Sequence, residues 1–184
     1  MIDSQKVLYN KVGNDENYTP DYGVKPIIKH LIAYAKDIGY SSNIVVWCPF
    51  DTIESEFVKQ LNSLDFVEVV YSHIDEGQDF FNYEPEYWDV IISNPPFKGK
   101  RQFFERALSF NKPFALLMTL ACFNDKYPAW SFYEQNKELQ LLKFDKRIKF
   151  SNPDGRPNNK ITFQSGYMCY NFLKSNLILE ELVV

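Results

Sequence analysis

The chain has 184 residues, 45% of them hydrophobic and 17% aromatic, and a formal net charge of −4. That length supports one substantial core and is short for two ordinary domains, so residues 1–184 read as a single domain with residues 1–20 as an N-terminal arm. The acidic balance excludes a wide basic face that grips duplex DNA, because phosphate neutralisation dominates such binding.

The arm, ending in Tyr18-Thr19-Pro20, has no apolar periodicity. In "VKPIIKHLIAYAKDIG", Ile27, Ile28, Leu31, Ile32 and Ala35 recur at helical spacing, with Pro26 in the first turn and Gly39 as a stop. "NIVVWC" is a short continuous apolar run closed by Pro49, the pattern of a strand buried on both faces. "IESEFVKQLNSL" then sets Phe57, Val58, Leu61 and Leu64 on one helical face. "FVEVVY" and "WDVIIS" are the next strands, "GKRQFFERALSF" a helix with Phe103, Phe104, Ala107 and Leu108 inward, and "PFALLMTL" a fourth strand. Strands alternating with amphipathic helices predict an α/β fold with a mostly parallel sheet and helices on both faces. After Pro128 the pattern predicts a helix over "AWSFYEQNKEL", strands at "LQLLKF", "RIKF" and "GYMCYNFL", and an antiparallel hairpin at a sheet edge.

Cys48, Cys122 and Cys169 are scattered and set mostly in apolar strands, which fits reduced core thiols. There is no CxxC pair, and His30 and His73 stand far apart, so no metal is expected. The N-terminus is polar and no apolar run approaches a membrane span, so a cytoplasmic protein without a membrane partner is expected. Trp47 and Trp88 read as core, and His73 as a loop or packing residue.

The informative stretch is "DVIISNPPFKGK". Two prolines can simply end a strand, since they cannot donate to the ladder. That accounts for Pro95 and Pro96 but not for Asn94 and Phe97. In an open α/β sheet ligands bind outside the carboxyl ends of strands, which is where this tetrapeptide falls. A proline-stiffened turn would aim the Asn94 side chain and the Pro95 carbonyl at one spot, with the Phe97 ring beside it. Two acceptors and an aromatic face suit methylation of an exocyclic amine: accepting both N–H bonds draws the nitrogen toward tetrahedral geometry and releases its lone pair, while stacking holds the base plane. Lys98, Lys100 and Arg101 follow directly and could hold a phosphate beside a flipped nucleotide, or form a solvated face.

"IISNPPF" resembles motif IV of the amino-methyltransferases that use S-adenosylmethionine, a tetrapeptide shared by DNA and RNA adenine-N6 enzymes and by enzymes that methylate glutamine side chains. "GQDFF" resembles motif III of that family, in which the acidic residue, here Asp79, meets the cofactor's adenine amine and the next aromatic, Phe80, packs on its ring. "YTP" resembles motif X, beside the cofactor's methionine end, and the closing "KRIKFSNPDGRPNNKITFQSGYMCYNF" is similar to the last hairpin of small phage and bacterial adenine methyltransferases. The resemblance spans most of the chain in the order X, I, III, IV. It implies a Rossmann-like methyltransferase fold with a C-terminal antiparallel hairpin, and methyl transfer from S-adenosylmethionine to adenine N6 in DNA. Asn94, Pro95, Pro96 and Phe97 would act on the amine, with Tyr18, Thr19, Pro20, Pro49, Phe50, Asp51, Asp79 and Phe80 around the cofactor. The adenine would be flipped out or single-stranded, and a protein partner could supply sequence specificity.

One segment departs from the family pattern. Motif I should be a glycine-rich turn; "VWCPFDTIESEF" keeps Pro49 and Phe50 but places Asp51, Thr52, Ile53 and Glu54 where glycines are expected. Asp51 could meet the cofactor's ammonium, and Asp51 or Thr52 could cap the next helix. Glu54 and Glu56 would repel the cofactor's carboxylate. A methyltransferase-like binding module without activity, and an enzyme acting on RNA or protein glutamine, therefore stand as alternatives.

Overall fold

A computed structural model of the chain describes residues 18–40, 43–96, 100–124, 126–127, 129–152, 156, 158 and 163–184, with Lys100 by its backbone alone. Helix α1 (Asp21–Asp37) leads into β1 (Ile44–Cys48), α2 (Glu56–Asn62) and β2 (Val67–Tyr71). Then come β3 (Val90–Ser93), α3 (Lys100–Ser109), β4 (Phe114–Thr119), α4 (Ala129–Glu134), β5 (Gln140–Phe144), β6 (Ser165–Tyr170) and β7 (Leu177–Glu180). The strands form one seven-stranded sheet in the order β2-β1-β3-β4-β6-β5-β7. Pairing is parallel from β2 through β4, antiparallel on both sides of β6, and parallel again between β5 and β7. The fold is thus α/β and Rossmann-like, mostly parallel, with an antiparallel C-terminal hairpin.

The period-two alternation of the central strands divides the core into two layers. Ile44, Val46 and Cys48 of β1 pack with Val90, Ile92, Ala115 and Leu117 under the apolar faces of α1 and α2. Val45 and Trp47 face the other way and join Ile91, Leu116, Met118 and the apolar faces of α3 and α4. Both faces of β1 are consequently covered, and all five of its residues are buried. Trp47 and Trp88 are core residues, as expected, and the three cysteines are buried and free.

The C-terminal third differs from expectation in three places. The stretch Arg147 to Phe150 is not a strand: Ile148 and Phe150 are buried, which produces a strand-like alternation, yet among the described residues the ladder pairing nearby is an isolated bridge between Ser151 and Tyr18. The β5/β6 hairpin is not at the sheet edge, because β6 inserts beside β4 and the later segment Leu177–Glu180 adds β7 outside β5. The helix expected over residues 129–139 stops at Glu134, and Asn136 takes the left-handed conformation (φ 53°) that asparagine tolerates after a helix end. None of the described helices is long and apolar enough to cross a membrane.

Candidate active site

Strand order reverses between β1 and β3: β1 continues outward to β2, β3 to β4. In open α/β sheets the crevice outside the carboxyl ends at such a reversal is where ligands sit. Here the two carboxyl ends carry Pro49-Phe50-Asp51 and Asn94-Pro95, so the fold itself brings the two motif segments together.

Asp51 ties these ends to one another. Its carboxylate accepts from the hydroxyls of Ser55 and Ser93, and all three side chains are buried. Ser55 is also the N-cap of α2, accepting from the Phe57 N–H at 3.2 Å. Neither Asp51 nor Thr52 caps the helix directly, a correction to the sequence reading; Asp51 instead holds the residue that does. Burial pushes the Asp51 carboxyl up to about 6, opposed by the two hydroxyl bonds and by nearby His73. Because both oxygens are engaged inside the protein, Asp51 fixes the turn rather than reaching outward for an ammonium.

Asn94 is held from the opposite side. Its Nδ2 donates to Thr19 Oγ1 at 3.2 Å, which sets the orientation of the amide. Thr19 is itself buried and fixed, because Tyr18 exchanges backbone bonds with Ser151 at 2.9 and 3.0 Å. The "YTP" segment and the tetrapeptide are therefore adjacent, with Pro95 buried and Pro96 half-buried. The start of β3 is fastened as well: Asp89 accepts from the Val45 N–H at 2.8 Å and from the hydroxyls of Tyr40 and Tyr87. Phe97 and Lys98 lie outside the described residues.

The Asp79-Phe80 segment lies beside Phe50. Asp79 is buried and folds back on its own turn, accepting from the Phe81 N–H at 3.1 Å and from Asn82 Nδ2 at 3.2 Å. Phe80 is buried in an aromatic cluster, with ring centroids 4.9 Å from Phe50 and 5.4 Å from Trp47. Phe50, Phe81, Tyr83 and Phe110 are half-buried members of this cluster. Arg106, not anticipated from sequence, clamps this loop by donating from Nε to the Phe80 carbonyl at 2.5 Å while lying over the Phe110 ring. His73 is a loop residue, as expected: its Nδ1 accepts from the Asp75 N–H at 3.3 Å.

A hollow of about 400 Å³ opens where α1, the β1–α2 turn and the segment after β5 meet. Tyr18, Thr19, Pro20, Asp21, Glu54, Glu56, Ser151 and Asn152 line it. Of its three carboxylates, Asp21 pairs with Lys25 at 2.7 Å and Glu54 with Lys59 at 3.1 Å, and the Thr19 hydroxyl already accepts from Asn94. Arg101 lies exposed in the first turn of α3, the helix that follows the tetrapeptide. Among the described residues no group of three or more His, Cys, Asp or Glu is placed to hold a metal ion.

Ser55 and Ser93 escaped the sequence reading. Ser55 had a signal, a serine just before the first residue of the apolar face at Phe57. Ser93 had none, because a serine ending a buried strand is indistinguishable in sequence from a packed one. Compared with protein-family models and with curated proteins, the chain matches none.

Proposed function

We propose that the protein transfers a methyl group from S-adenosylmethionine to N6 of adenine in DNA. The observation that carries this reading is the placement of Asn94-Pro95 at the reversal of strand order, with the Asn94 amide oriented by Thr19 and the strand end fixed to the β1 turn through Ser93 and Asp51.

The residues fit the cofactor at its cationic and aromatic parts. Glu56 at the hollow complements a sulfonium or an ammonium, as do Asp21 and Glu54 in exchange for their pairs with Lys25 and Lys59, and the half-buried rings of Phe50 and Phe81 complement a flat ring. When bound, S-adenosylmethionine supplies a methyl group already activated by a sulfonium leaving group. The chain's task is then positional. Asn94 Oδ1 and the Pro95 carbonyl accept the two amine hydrogens, which takes the nitrogen lone pair out of conjugation and points it outward. Thr19 fixes the plane of the Asn94 amide and Ser93 fixes the strand end; Asn94 Oδ1 is itself buried, so the turn has to open for an amine to reach it. No residue of tuned pKa is required before attack, and the surplus amine proton leaves afterwards to solvent.

A second reading, a binding module without transfer, is favoured by one observation. The turn from Pro49 to Ser55 contains no glycine and no left-handed residue, so nothing there mimics the bare backbone of the family's motif I. Titrating the purified protein with S-adenosylmethionine by calorimetry, alongside labelled-methyl transfer to unmethylated DNA, to RNA and to a glutamine peptide, separates the readings. Heat of binding and label in DNA adenine support the proposal. Absence of both, where a control enzyme works, removes it, and label in RNA or peptide alone redirects it.

A further inference from the structure

A row of rings and cations lies outside the crevice, running from the start of α3 to α4. The Arg101 guanidinium sits 4.0 Å from the centre of the Tyr127 ring. Lys126 Nζ lies 5.1 Å from the same ring and 5.0 Å from Trp130, whose ring is in turn 4.8 Å from that of Tyr133. Trp130 is 42% exposed and Tyr133 72%, whereas Trp47 and Trp88 are 0% and 1% exposed. A chain that buries its other tryptophans leaves this one in solvent, beside a second exposed ring, and continuous with the helix that follows Asn94-Pro95.

From this we infer that the row is a docking surface for single-stranded nucleic acid, with successive bases stacking on Trp130 and Tyr133, and with Lys126 and Arg101, which lies over the half-buried Tyr127 ring, meeting the phosphates. The inference rests on the proposed function in taking nucleic acid as the substrate class, which it narrows to an unpaired strand.

Charge decides between strand and duplex. Arg101 pairs with Glu105 at 2.5 Å and Lys126 with Glu134 at 3.5 Å, so two cations are balanced locally by two carboxylates, on a chain whose net charge is −4. Duplex binding is driven mainly by phosphate neutralisation, which this surface supplies poorly. Base stacking on aromatic rings needs no net charge and tolerates any base. An extended peptide would instead seek an open strand edge, and this surface is built from helices α3 and α4 and the segment between β4 and α4.

Trp130 is the exposed tryptophan among three, so the protein's own emission reports on the row. Titration with a short single-stranded DNA of mixed sequence should quench and shift that emission, and the same sequence as a duplex should bind at least about tenfold more weakly. The affinity should fall with salt along a log–log slope no steeper than about −1.5, two cations at about −0.7 each. Trp130→Ala and Tyr133→Ala should each weaken strand binding about tenfold or more, read by anisotropy of a labelled strand, with the thermal midpoint unchanged. Wild-type affinity in both variants, equal affinity for the duplex, or binding of a peptide alone would overturn the inference. Trp130-dependent strand binding without methyl transfer would uphold this surface while removing the proposed reaction. Transfer to DNA with unchanged KM in both variants would do the reverse.

Discussion

Asp51 is the residue on which the geometry of the crevice turns. In the unfolded chain its carboxyl titrates near 3.8, and in the folded protein near 6, because burial disfavours the ionised form. The folded state therefore binds the proton more tightly, so stability is highest below the unfolded value and declines as pH rises from about 4 to about 6. A shift of about two units costs about 3 kcal/mol above that window. Asp51→Asn keeps the shape and cannot ionise. Urea unfolding of the two proteins should show wild type losing about 3 kcal/mol relative to the variant between pH 4 and pH 7; parallel pH profiles would contradict the placement of this carboxyl. Thr19 makes a different contribution, through orientation. Thr19→Val removes the acceptor for Asn94 Nδ2. The expected result is about a tenfold fall in kcat for methyl transfer, with a thermal midpoint shifted by only a few degrees. Unchanged kcat would show that Asn94 is oriented by something else.

Among the elements, β6 fits closely against β5 at Gly166. A Cβ on Gly166 would lie 2.7 Å from the Leu142 carbonyl oxygen, so glycine is what lets β5 and β6 approach. Gly166→Ala should cost about 1–3 kcal/mol in chemical denaturation, and a smaller loss would mean the hairpin can part without strain. Gln140, at the head of β5, accepts from the N–H groups of Phe172 and Leu173 at 2.8 and 2.9 Å and donates to the Leu173 carbonyl at 2.8 Å. It thereby closes the turn from β6 toward β7. Gln140→Leu leaves these buried groups unmatched, and a loss of about 2–3 kcal/mol is expected by the same measurement. These elements also show what the sequence makes legible. The helices with Leu31 or Phe104 at their centres and the strand "IVVWC" stand out because apolar spacing reports burial, and burial there is simple. The "RIKF" segment misleads for the same reason: Ile148 and Phe150 are buried by the loop's path across the core, not by strand pairing. β7 is missed because Leu177 and Leu179 are exposed and resemble an ordinary tail. At the site, Asn94 and Pro95 are legible as a broken apolar strand, whereas the Asp51–Ser93 contact spans 42 positions and depends on the sheet order.

For the molecule as a whole, the proposal is that the strand-order reversal between β1 and β3 holds an amine-accepting pair, Asn94 Oδ1 and the Pro95 carbonyl, which an opening of the turn presents for methyl transfer. On that proposal, net acidity and the exposed rings of Trp130 and Tyr133 both favour an unpaired adenine over one stacked in a duplex. The most direct measurement is mass-spectrometric analysis of nucleosides from single-stranded, unmethylated DNA incubated with the protein and S-adenosylmethionine, run in parallel with Asn94→Ala. The account predicts N6-methyladenine with the wild-type chain and a loss of at least about a hundredfold in the variant, with a thermal midpoint shifted by only a few degrees. No N6-methyladenine from the wild-type chain, or equal amounts from the variant, would contradict it.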